Sequence, residues 1–228
     1  MMSKYTTTIL FVLILVILLP YQVISQFSFG VKAGMNMGDI KVKSKTLLVD
    51  EQYAPLRVWH FGLVGVKDFS EKLSGQMELL FSQKGGQSPL DLSMPNPLEA
   101  YWQYKLTYLS LPFLLQYKAG PLSFESGPEV GYLIGQKTLR NDMLVENELS
   151  NFGQRSWEIA LSAGFKFTVE RFFTEVRWSR GITSLGTVRF TDMNGNFLGE
   201  YQHFSHTLHV SLGYLIVDKK SKVLEAGE

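Results

Sequence analysis

The stretch 108–124, YLSLPFLLQYKAGPLSF, sets Leu109, Leu111, Phe113, Leu115 and Tyr117 on one face of an extended chain. Leu122 and Phe124 resume that face after Gly120-Pro121. Alternation of period two marks a strand with one apolar face, and a Gly-Pro step between two such runs reads as the tip of a tight hairpin. Pro112 sits inside the first run, where it cannot donate to a ladder. The solvent that the apolar face meets, protein core or lipid, separates a soluble β-protein from a membrane barrel.

The same alternation recurs along the 228-residue chain. Six further segments carry it, at about 27–37, 58–69, 73–84, 157–169, 172–180 and 206–217, so that with the opening hairpin there are eight. In the cleanest, Trp157, Ile159, Leu161, Ala163, Phe165, Phe167 and Val169 alternate with Glu158, Ala160, Ser162, Gly164, Lys166 and Thr168. The segment 58–69 leaves its face open, because Trp59, Phe61 and Leu63 are followed by Val64 and Val66 on the other side.

The connections alternate too. Those near 69–72, 119–121 and 170–171 are short, and those near 38–57, 85–103, 136–155 and 181–205 are long and polar. Short turns at one end, long loops at the other and an even strand number characterise transmembrane barrels. Each segment reaches the roughly 9–11 residues that a tilted strand needs to cross a bilayer. A soluble lipocalin-like barrel or a β-sandwich would share the alternation with its apolar face turned inward, but neither accounts for this rhythm. The expected fold is all-β, an eight-stranded antiparallel up-and-down transmembrane β-barrel.

In such a barrel the apolar faces meet lipid. Phe27, Tyr117, Phe124, Trp157, Phe172, Trp178 and Tyr214 lie near segment ends, where aromatic girdles sit. The opposite faces are rich in Gly and Ser, with isolated charges that suit a crowded lumen. The inner set holds Glu78, Glu125, Glu129, Glu158 and Glu175 against Lys32, Lys84, Lys166 and Arg177. A buried charge needs a partner, so these near-balanced groups are expected to form a structural network. Hairpin tips at Gly120-Pro121 and Glu170-Arg171 set Tyr117 opposite Phe124, Pro112 opposite Glu129, and Lys166 opposite Glu175. A closed ring has no edge to accommodate Pro112, so a missing ladder bond or a bulge is expected there. Eight strands leave a lumen that side chains fill, which argues against an open pore.

The ends of the chain carry other signals. Lys4, the apolar run Ile9–Leu19, and Val23 and Ser25 before Gln26 make the three-part pattern of a cleaved signal peptide over 1–25. The barrel would span 26–217, and 218–228 would be a charged periplasmic tail. The chain has no cysteine, which removes disulfides and a lipidated N-terminal Cys. A net charge of +1 gives no general attraction to nucleic acid.

Little chemistry is visible. In HFSHTLH, His203 and His209 share a strand face and His206 takes the other, so they do not converge on one ion. No metal or cofactor is expected. His203 and Ser205 share a face, as in small barrels that deacylate lipid A, but a Ser nucleophile also needs an orienting carboxylate, and none is identifiable. Asn194-Gly195 reads as the tip of a long outer hairpin. Tyr53, Trp102, Tyr104 and Phe197 fall in the long connections, where they would meet partners or rim the barrel.

The stretches FSFGVKAGMNMGDI (27–40), GLVGVKDFSEKLSGQMELLFSQKG (62–85), YLSLPFLLQYKAG (108–120), ESGPEVGYLIG (125–135) and EVRWSRGITSL (175–185), in that order, resemble the outer-membrane β-barrel proteins of Bacteroidetes, the porin-family or PorT-like proteins. The resemblance covers about 26–217 and implies an exported outer-membrane barrel of this size without catalytic residues. One branch of that family is associated with type IX secretion and gliding. Many outer-membrane barrels end on an aromatic residue, whereas here Tyr214 and Ile216 precede VDKKSKVLEAGE. The expected role is non-enzymatic: structural, adhesive, or part of an envelope complex, including a secretion-associated one. The expected partners are outer-membrane lipid, lipopolysaccharide and envelope proteins meeting the outer loops. A small-solute channel and a lipid A hydrolase are the alternatives.

Overall fold

The computed structural model describes residues 27–44, 53–89, 101–140, 143–144, 155–191 and 197–217. The proposed signal peptide, the tail at 218–228 and Asn194-Gly195 lie outside them.

Among the described residues, ten strands form one antiparallel sheet: β1 (Phe27–Ser44), β2 (Ala54–Asp68), β3 (Leu73–Pro89), β4 (Tyr101–Ala119), β5 (Leu122–Arg140), β6 (Met143–Leu144), β7 (Trp157–Val169), β8 (Phe172–Gly181), β9 (Gly186–Thr191) and β10 (Phe197–Val217). Eight of them are the staves of a closed ring in the order β1-β2-β3-β4-β5-β7-β8-β10, and β10 pairs back onto β1. The other two are additions at the long-loop end. β9 pairs with β10 beyond the end of β8, and β6 adds a short rung to β5.

Burial is inverted relative to a water-soluble protein. Trp157 is 60% and Leu212 68% exposed, whereas Arg177 is 1% and Glu78 2% exposed. An apolar wall around a charged interior is the solution for a barrel in lipid, where every backbone polar group must be paired within the ring. The uncertain face of β2 follows the same rule. Trp59, Phe61 and Leu63 point outward, while Val58, His60, Val64 and Val66 point into the lumen.

Local chemistry fixes the tight turns. Gly120 takes φ 66° at one tip and Glu170 φ 52° at another; the left-handed region favours Gly and is uncommon for other residues. From these tips the register runs as Tyr117↔Phe124, Pro112↔Glu129 and Lys166↔Glu175. The β3–β4 ladder breaks between the pairs Met77↔Phe113 and Leu80↔Ser110 without a change of register. The gap is centred beside Pro112, which has no N–H to give. A second break, between Pro112↔Glu129 and Leu115↔Ser126 on the β4–β5 side, spans Pro128.

The staves are longer than the alternating segments. β4 has 19 residues and β10 has 21, against the ~9–11 needed to span a bilayer. The excess lies at the long-loop end, so strand extends into each of the connections expected at 38–57, 85–103, 136–155 and 181–205. Register shifts mark the transition on two ladders, between Pro55 and His60 on β2 and between Thr107 and Tyr108 on β4. Bulges of this kind cluster at barrel rims. On β5 both faces are wet over 134–137: Ile134, Gly135, Gln136 and Lys137 are all exposed. Three of the four residues placed in loops accordingly change position. Trp102 and Tyr104 stand in β4 and Phe197 begins β10, while Tyr53 is buried just before β2.

Candidate functional site

The lumen is stacked in layers, each built from the inward alternate residues of several staves. At the short-turn end, Val64, Val66, Phe173 and Leu215 form an apolar floor. Gly213 makes room for it, since a Cβ there would overlap the Phe173 ring.

Above the floor lies the first ionic layer. Lys32 donates to Glu78 and Glu175, at 2.8 Å each. Arg177 reaches the same two carboxylates at 2.7 and 3.0 Å. Two acids and two bases from β1, β3 and β8 thus close a square across the lumen. Gln76 donates to Glu78. Gln116 donates to Gln76 Oε1 at 2.8 Å and to Glu125 Oε2 at 3.0 Å. Lys166 stands opposite Glu175 in the ladder, yet its ammonium donates to Gln76 Oε1 at 2.7 Å.

The second ionic layer is centred on Lys84, which donates to Glu129 at 2.8 Å and to Glu158 at 3.0 Å. Ser179 supports Glu129 at 3.1 Å, and Ser205 donates to Glu158. Between the layers, His60 bridges Asn36 Oδ1 at 2.6 Å and Ser211 Oγ at 2.8 Å. Both ring nitrogens of His209 are buried without a hydrogen-bond partner among the described residues. Ile40, Tyr53, Leu106, Tyr108 and Leu185 close the long-loop end as an apolar lid. Among the described residues, no three His, Cys, Asp or Glu groups are arranged to hold a metal ion.

All of the charged residues assigned to the interior from the sequence point inward and are buried: Lys32, Glu78, Lys84, Glu125, Glu129, Glu158, Lys166, Glu175 and Arg177. Of the aromatic set, Tyr117, Phe124, Trp157, Phe172 and Trp178 are exposed on the outer wall, and Phe27 and Tyr214 are half-buried. Phe124 packs against Phe165, and Phe172 against Tyr214. The sequence missed the amides of Gln76 and Gln116, which sit on the inner face as ordinary polar residues with no mark of the contacts they make. It missed His60 because the face of β2 was unreadable. Ser205 does have a carboxylate partner, Glu158, but the pair lies in the lumen, away from the lipid face.

The outer membrane protein beta-barrel domain family model matches residues 21–186 of the chain. Among solved structures, the outer membrane protein OprG from Pseudomonas aeruginosa aligns with a TM-score of 0.42 and 14% identity, covering 82% of this chain and 94% of that one. Neisserial surface protein A aligns at 0.40 and 10%, covering 82% and 97%. The attachment invasion locus protein Ail of Yersinia pestis aligns at 0.37 and 11%, covering 83% and 99%. A comparison with curated proteins finds no match.

Proposed function

The chain belongs to the outer membrane protein beta-barrel domain family, and from that premise we propose that it is a non-enzymatic, non-conducting barrel of the bacterial outer membrane that presents a binding surface outside the lipid. The filled lumen carries this reading. Two ionic layers lie between an apolar floor and an apolar lid, and the Arg177–Glu78 pair joins staves on opposite sides of the ring. A solute would have to break pairs that are costly to separate. The staves run well beyond the bilayer at the long-loop end, which supports recognition there. Its partners are lipopolysaccharide and envelope proteins, and its role is adhesive, structural or part of an envelope complex. The resemblance to PorT-like proteins of Bacteroidetes supports a secretion-associated complex and export through a cleaved signal peptide. The inward position of Ser205 weighs against attack on a lipid A acyl chain.

Planar-bilayer recording of the refolded protein tests this reading. The expected trace stays at the baseline of the empty bilayer across salts and small solutes. Steady ohmic steps would replace it with the small-solute channel.

A further inference from the structure

The short-turn end, periplasmic in barrels of this kind, holds a cavity of about 780 Å³. Its inner wall is Gln116, Ser123 and Lys166, each buried. Lys166 is the unusual member. It is 4% exposed, and its ammonium has one amide oxygen, Gln76 Oε1, and the Phe173 ring at 4.1 Å. Among the described residues no carboxylate lies within 4.0 Å of it. Glu78 and Glu175 are held by Lys32 and Arg177 instead. An ammonium has three donors, so one amide leaves donors over beside the cavity.

Around the rim stand Lys118, Arg171, Asp68 and Glu170, with the hydroxyls of Ser28 and Thr168. Asp68 is engaged by Lys118. Three cations against two carboxylates give the cavity a positive balance, with its least compensated charge at the bottom. Its volume falls in the range of small-ligand sites.

The cavity also adjoins the lipid. Phe172 and Tyr214, with ring centroids 4.9 Å apart, line both this cavity and an apolar trough of about 900 Å³ that runs along the outer wall. The trough is recessed at Ala33 and Thr174 and flanked by Phe61, Phe81 and Phe167. A basic, hydroxyl-lined chamber joined to a lipid-facing trough by an aromatic sill has the form of an anionic amphiphile.

We propose that this end of the barrel binds one anionic glycerophospholipid of the periplasmic leaflet. Its phosphate is held by Lys166 and Arg171 in the cavity, and an acyl chain lies over the Phe172–Tyr214 sill in the outer trough. Charge complementarity selects the headgroup, and continuity between cavity and trough selects a lipid over a free anion.

Native mass spectrometry of the full mature protein, released from micelles containing dioleoylphosphatidylglycerol or dioleoylphosphatidylcholine, tests this. One phosphatidylglycerol should stay bound at collision energies that strip phosphatidylcholine. Retention should fall at least fivefold in Lys166→Gln and in Arg171→Gln, and return in Lys166→Arg. Arg171→Gln, on the turn, carries the test whether or not Lys166→Gln folds. Equal retention of the two lipids, or full retention of phosphatidylglycerol in Arg171→Gln, would overturn the proposal. So would inorganic phosphate displacing the phosphatidylglycerol and raising thermal stability as much as the lipid does, since the site would then take a free anion.

Discussion

Arg177 has no exposed side-chain surface, and two carboxylates lie at salt-bridge distance from its terminal nitrogen. Removing it leaves Glu78 and Glu175 to share Lys32. An uncompensated buried charge costs about 3–5 kcal/mol, so Arg177→Met should lower the midpoint of a urea unfolding titration in lipid vesicles by a corresponding amount. Lys118 makes a pair of the same chemistry with Asp68, but both side chains are partly solvated. Lys118→Met should cost under about 1 kcal/mol in the same titration. The sequence could show that these charges share the inner face, because alternation assigns a side. It could not show which charge meets which. Partners across the lumen depend on how the staves are staggered around the ring, and that stagger is not written in any one strand. Lys166 is the instructive case. Its ladder neighbour Glu175 was readable from the hairpin tip, yet its ammonium turns to Gln76 on β3, four staves around the ring from Glu175 on β8.

For a strand, legibility depended on having two different solvents. β8 alternates without fault because one face meets lipid and the other the lumen. Val176, midway along it, is 46% exposed between Phe165 and Val210 on the neighbouring staves. Val176→Arg should destabilise the barrel by about 2–4 kcal/mol, as charges do at the bilayer midplane of such walls, measured by the same titration. Lys137 lies on the part of β5 that is exposed on both faces. Lys137→Glu should change stability by less than about 0.5 kcal/mol. The same physics explains why the sequence ended β5 too early. Where both faces meet water there is no apolar period to read. The break at Pro112 was readable because it follows from covalent structure alone, whatever the solvent.

At the scale of the whole molecule, a ring with no open edge resists detergent until it is heated. The unheated protein should run as a compact band on a detergent gel and shift after boiling; a single position under both conditions would contradict the closed barrel. Closure also has a kinetic consequence. Lys32 and Glu175 are 143 positions apart, on β1 and β8, and β10 between them is the last stave synthesised. Bringing such distant segments together is slow, because chain entropy is lost before the contacts that compensate form. Their ion pair therefore forms late, when the seam between β1 and β10 shuts and water leaves the interior. Interactions absent from the folding transition state govern how fast a protein comes apart. The cross-lumen square thus acts as a latch on an assembled ring: Arg177→Met should speed unfolding by far more than it slows insertion, as stopped-flow or gel-shift time courses in both directions would reveal.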